Sequence, residues 1–302
     1  MRAEYLIKRV FYSVLVFFIT VGITFAVLRQ IPRSYPGLDK SVIAQYFVYI
    51  YNVLQGDWGY SQGVPVLGLI WEKLYWSLII LVPAISLSLL IGILVGAHFG
   101  WKRGSKMDAS VLNVMMFTRA IPPYWWAIMF ILIFSFHLDL FPLGGYMSIS
   151  ALDRGISYSD ILYHSALPII TLTVYSIPGT YYLMRNSMLL TVGEDYILTA
   201  RAKGLSEKYV LFKHVLKNAM LPMVTMIPLE CAYLIAGNIF IEIIFSWPGI
   251  GLLTFDAIAA KDFSLLQGIV LIDALLIIIA NFSADLFYSH IDPRIKVGGG
   301  NV

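Results

Sequence analysis

The sequence predicts an all-α integral membrane protein with six transmembrane helices, an extracytoplasmic region between spans one and two, and a short cytoplasmic helical loop between spans four and five. Two observations carry that expectation. Only 13% of the 302 residues are charged and 59% are hydrophobic, about half the charged share of an ordinary soluble domain. Six apolar stretches approach the roughly 20 residues that cross a hydrocarbon core, and one long polar, basic run separates the fourth from the fifth. A net charge of +3 is too small to argue for nucleic acid. The single cysteine, Cys231, allows neither an intrachain disulfide nor a cysteine-based metal site.

The first span is Val10–Leu28, behind Arg2, Lys8 and Arg9. No small-residue cleavage pattern follows it, so it reads as an anchoring helix rather than a signal peptide. The segment from Arg29 to Tyr75 is the extracytoplasmic region. Its run Gln45–Leu54 is aromatic-rich and reads as an amphipathic helix at the interface, ending in the turn Gly56–Ser61. Five further spans fall at roughly 77–100, 110–136, 165–190, 218–240 and 266–288. This divides the chain into 1–76, the first helix with the outer region, and 77–302, a five-helix core. With the N-terminus inside, the inner segments, counting Arg185 near the inner end of span four, hold fourteen lysines and arginines and the outer ones six. Both termini and the loop 193–217 are therefore expected in the cytoplasm.

Within span three, Pro122-Pro123 removes two helix hydrogen-bond donors and should kink or break the helix. Arg119 just before it either snorkels to the near headgroups or faces a cavity. Glu230 in span five and Asp273 near the start of span six are carboxyl groups at membrane depth. They either line a path for a polar or cationic solute or are satisfied by a neighbouring helix. The five histidines are scattered without metal-ligand spacing.

The loop between spans four and five begins Gly193-Glu194-Asp195-Tyr196 and continues through Ile197–Lys203, good helix formers that place Ile197 and Ala200 on one side. Gly204 closes that helix, because glycine reaches the left-handed conformation without a Cβ clash. Ser206 opens a second helix as its N-cap. The run Thr199–Pro222 resembles the cytoplasmic loop of permease subunits of binding-protein-dependent ABC importers, in particular the dipeptide/oligopeptide branch. Ala200, Gly204 and Leu216 hold the superfamily positions, whereas Leu198, Thr199, His214 and Lys217 depart from them in the manner of the peptide branch. Asp39, Gln45-Tyr46, Gly56-Asp57, Gly59 and Ser61 match that branch's outer pattern. A second block is similar as well: Glu242, then Trp247-Pro248-Gly249-Ile250-Gly251, then Asn281, Asp285, Tyr288 and Asp292-Pro293-Arg294.

The resemblance implies a non-catalytic permease subunit forming half of a pore in a prokaryotic inner membrane. Its partners would be a second related permease, two ATPase subunits, an extracytoplasmic solute-binding protein and the lipid bilayer. Contact with the ATPase would fall to Glu194, Asp195, Thr199, Ala200, Arg201, Ala202, Lys203, Gly204 and Leu205. ATP and magnesium would sit on the ATPase subunits, since this chain lacks a G-x-x-x-x-G-K-[ST] loop and would bind no cofactor or metal itself. Arg119, Glu230 and Asp273 would line the path. Glu242, Trp247, Pro248, Gly249 and Gly251 would form an outer gate or partner contact. Di- or oligopeptides are the expected cargo, with oligosaccharides or nickel as alternatives on the same machinery. An ion-coupled secondary transporter would instead use Glu230 and Asp273. A membrane-embedded enzyme has no motif to support it.

Overall fold

The computed structural model describes residues 3–29, 41–148, 157–224, 226–228, 230 and 239–291. Asp39, Cys231 and Asp292-Pro293-Arg294 lie outside them. Among the described residues, five helices are long and apolar enough to cross a membrane, or six if one bent pair counts as a single span.

Helix α1 (Ala3–Arg29) turns Val21 and Phe25 inward and leaves most of its apolar surface exposed, as a helix in lipid should. The expected interfacial helix is α2 (Val42–Leu54), opened by Ser41, whose hydroxyl accepts the Ala44 N–H at 3.3 Å. It lies against α1 through the Tyr46 hydroxyl, which donates to the Phe18 carbonyl at 2.8 Å. Strands β1 (Tyr60–Ser61) and β2 (Val64–Pro65) form a hairpin with Tyr60 opposite Pro65. Its turn residues Gln62 and Gly63 both have positive φ, the twist a two-residue hairpin turn favours.

Helix α3 (Val66–Trp101) starts eleven residues before the expected 77. Its 36 residues reach about 54 Å, well beyond a hydrocarbon core of about 30 Å. The early turns carry Trp71, Glu72, Lys73 and Tyr75 outside the apolar window, which is why the hydropathy pattern understates the helix. Helices α4 (Lys106–Ala120) and α5 (Pro123–His137) meet at 95°. The break falls at Ile121-Pro122, where the sequence predicts it, because proline withholds its N–H from the preceding turn.

Helix α6 (Tyr158–Val192) runs beside α3 in the same direction. Gly92, Gly96 and Gly100 form the α3 side of that contact. A Cβ at Gly96 would come within 2.8 Å of the Tyr181 carbonyl, and one at Gly100 within 2.6 Å of Met188 Cβ. The helices approach closely because α3 projects no side chain there. Asp108 at the start of α4 is pinned to Arg185 of α6 by two hydrogen bonds of 2.9 and 2.8 Å. The short α7 (Asp195–Ala202) and then α8 (Glu207–Pro228) follow. Helices α9 (Ile239–Ile244), α10 (Ile250–Ala260) and α11 (Phe263–Ile291) complete the chain. The end of the bundle holding Lys102, Arg103 and α7 is called the basic end below.

Candidate functional site

The polar run after α6 folds as its residue pattern predicts. Glu194 is the N-cap position of α7, and Asp195 places a carboxyl group in the first turn, where the helix dipole favours it. The Thr199 hydroxyl donates back to the Asp195 carbonyl at 3.0 Å. Ile197 and Ala200 are buried and join Met184, Met188 and Val192 of α6 and Val210 and Val215 of α8 in one apolar cluster. Ala200 therefore packs on its own chain. Gly204 has φ +77°, its N–H donates to the Arg201 carbonyl at 2.9 Å, and the Leu205 N–H donates to the Ala200 carbonyl at 3.4 Å. That is the Schellman closure of a helix. Ser206 then caps α8, accepting the Tyr209 N–H at 3.4 Å.

The outward face of this unit is mixed. Ala202, Lys203, Gly204 and Leu205 are exposed, as are the large apolar side chains Leu198, Tyr209 and Phe212. A Cβ built on Gly204 meets nothing within 4 Å, so what constrains that position within the chain is its backbone conformation and not space. Arg201, expected at the ATPase contact, has an intrachain partner of its own. It is held by Glu207, with Nε donating to Oε1 and Nη2 to Oε2, both at 3.0 Å. Its guanidinium lies 5.3 Å from the ring centroid of Trp101, the last residue of α3. Near the other end of α7, Asn218 of α8 donates to the Tyr196 hydroxyl at 2.8 Å.

At the opposite end, the turn between α9 and α10, where Glu242, Trp247, Pro248, Gly249 and Gly251 are expected to form an outer gate or partner contact, packs into the interior of this chain. Glu242 is 1% exposed and Trp247 fully buried. Gly249 and Gly251 are also buried, and Pro248 is half-buried. Ser246 adopts φ +50°, the Trp247 N–H closes back on the Glu242 carbonyl at 2.8 Å, and the indole N–H donates to the Trp76 carbonyl of α3 at 2.8 Å. Glu242 then caps α10. Its Oε2 accepts the Gly251 and Leu252 N–H groups at 2.7 and 3.2 Å. Its Oε1 accepts the Ser77 hydroxyl at 2.7 Å, and Ser77 Oγ accepts the Ile250 N–H at 2.8 Å. The first three amides of α10 are thus satisfied by two side chains, the positions where a helix otherwise leaves donors orphaned. A Cβ at Gly251 would come within 2.6 Å of Ile239 Cα, and one at Gly249 would collide with the Glu242 carboxyl and Ser77 Oγ.

The three path residues come from different elements: Arg119 belongs to α4, Asp273 to α11 and Glu230 to the chain after α8, and no hydrogen bond joins them among the described residues. Arg119 is exposed at the end of α4, its Nη1 beside Gly179 of α6, where a Cβ would come within 3.2 Å. Asp273 is half-buried and its Oδ1 has no hydrogen-bond partner. Glu230 is half-buried. Sequence reasoning missed Ser77, Trp101 and the Asp108–Arg185 pair. Only the last left a local signal: Ser105-Lys106-Met107-Asp108 has capping-box spacing, and Ser105 Oγ does accept the Asp108 N–H at 3.0 Å.

Comparison with known proteins matches residues 88–297 to the family of binding-protein-dependent transport system inner membrane components. The chain is 37% identical to the dipeptide transport system permease protein DppB of Escherichia coli, covering 86% of this chain and 83% of that one. It is 35% identical to the oligopeptide transport system permease protein AppB of Bacillus subtilis, covering 86% and 82%. The same identity holds with the di/tripeptide transport system permease protein DppB of Pseudomonas aeruginosa, again covering 86% and 82%. Among solved structures, the MetNI methionine ABC transporter in an inward-facing conformation aligns at 16% identity with a TM-score of 0.59, covering 77% of this chain and all of the matched chain.

Proposed function

This chain belongs to the family of binding-protein-dependent transport system inner membrane components, a multi-pass permease subunit by its helices, and from that premise we propose that it forms half of the pore of an ATP-driven importer of di- or oligopeptides. The peptide cargo is carried over from the names of the relatives. We assign the other half of the pore to a second related permease, delivery of solute to an extracytoplasmic binding protein, and ATP and magnesium to two ATPase subunits. The basic end then faces the cytoplasm with both termini, as the distribution of lysine and arginine favours.

The observation that carries the mechanism is α7. It is an eight-residue helix, too short to be stable alone, cemented to α6 and α8 by Ile197 and Ala200 and presenting Leu198, Lys203 and Leu205 outward. Such a helix fits a groove on an ATPase subunit and passes that subunit's movement to the ends of the spans. Glu194, Asp195, Thr199, Ala202 and Gly204 shape the contact. Arg119 at the break in the third span, with Glu230 and Asp273, would line the path, since broken spans expose backbone to a pathway.

The test is purification of the tagged chain from its native membrane, identification of what accompanies it, and assay of ATPase activity. Recovery of a second permease and ATPase subunits, with hydrolysis stimulated by peptide-loaded binding protein, is the expected result. Stimulation by a sugar alone would replace the cargo and keep the mechanism. A chain that purifies alone and drives uptake without ATP would overturn the reading.

A further inference from the structure

We infer that Arg201 is a positioning residue that fastens α7 to α3 and α8, so that displacement of α7 moves the ends of both spans together. The inference rests on the reading of α7 as the helix an ATPase subunit pushes. Helix α7 offers only Ile197 and Ala200 to the apolar cluster beneath it. Two side chains one turn apart, one of them only a methyl group, fix its height above the spans but hold its direction weakly. Direction comes from polar attachments at its two ends. Near the start, Tyr196 meets Asn218 of α8 at 2.8 Å. Near the finish, Arg201 forks onto Glu207 at the start of α8 and covers the ring of Trp101 at the end of α3. One attachment would be a pivot, whereas two set an orientation.

The geometry also bears on the simpler idea that Arg201 offers its charge to the ATPase. Nε and Nη2 are both committed to Glu207, and Trp101 lies against the guanidinium. The side chains of Arg201 and Glu207 are 37% and 60% exposed, and an ion pair so wet adds little to folding. Its value lies in the angle it sets. That hold tightens when a docked partner excludes water, because the same charges then attract through a lower dielectric.

The decisive quantity is solute moved per ATP hydrolysed by the reconstituted transporter with its ATPases and binding protein. R201Q is expected to lower that ratio about fivefold, the sum of a weak ion pair and a cation–π contact. R201K keeps the charge and loses the planar fork, so it should show most of the same loss. The charge exchange R201E with E207R restores the ion pair to α8 but not the contact with Trp101, so it should recover about half of it. Wild-type behaviour of R201K, or an exchange as poor as R201Q, would overturn the inference and give Arg201 to the partner.

A second readout needs no ATPase. In the full chain labelled with 5-fluorotryptophan, the Trp101 resonance, assigned through W101F among the seven tryptophans, should move in R201Q and E207Q. A Trp101 signal unmoved by both variants would also overturn the brace. A wild-type complex that shows no ATP-driven uptake, alongside a Trp101 signal that does move, would instead overturn the functional reading.

Discussion

The two ends of the bundle both carry motif residues, and they use them in opposite ways. At the α9–α10 turn, Glu242 and Trp247 are buried and spend their hydrogen bonds on the chain itself. At α7, the polar residues stand at the surface, with Arg201 and Glu207 more than a third exposed. The first end is finished within one polypeptide; the second presents a surface that this chain alone does not cover. A short helix capped by buried groups loses stability when they are removed. An exposed helix loses function first, because exposed substitutions cost little folding energy.

The contrast is broken or sharpened by substitutions ranked by their effect on folding. Gly251→Val should have the largest: its first carbon already meets the Ile239 backbone at 2.6 Å, and folded protein recovered by gel filtration in detergent should fall below detection. Glu242→Ala leaves the Gly251 and Leu252 amides and the Ser77 hydroxyl without their acceptor, a loss of about 3 kcal/mol that a lowered melting temperature would report. Trp247→Phe removes the indole donor to Trp76 and leaves a cavity where the larger ring packs in the core, together worth about 2 kcal/mol. At the other end, Gly204→Asp forces a side chain into φ +77°, a strain of about 1 kcal/mol. Subunit levels should stay normal while transport falls away from ATP hydrolysis. Thr199→Ala should change stability by less than about 0.5 kcal/mol. If Glu242→Ala melted no lower than Gly204→Asp, the division between the two ends would fail.

What the sequence made legible was local. Pro122-Pro123 announces the break, Gly204 the closure of α7 and Ser206 the next cap, because each acts on backbone within a turn of itself. The interior character of the α9–α10 turn was not legible, since its partners are remote: Ser77 lies 165 residues from Glu242, and Trp76 lies 171 from Trp247. A glutamate followed by a proline-glycine turn reads as a surface feature until the helix that covers it is known. The same holds for Ser61, whose hydroxyl donates at 2.6 Å to Asp262, 201 residues away. Asp262 also accepts the Leu265 N–H at 3.0 Å, so the β1–β2 hairpin and the start of α11 share one carboxyl group. Trp101 was invisible for a related reason: its partner Arg201 had a plausible external use.

The contact of α3 with α6 has a mechanical consequence. Helices that slide over one another do so by letting side chains hop between rotamers at the contact. At Gly92, Gly96 and Gly100 there is nothing on the α3 side to hop, and the first carbons of Thr180, Met184 and Met188 of α6 sit directly on its backbone. The pair therefore behaves as a spar, stiff along its length, with a ready elbow in the 95° corner between α4 and α5.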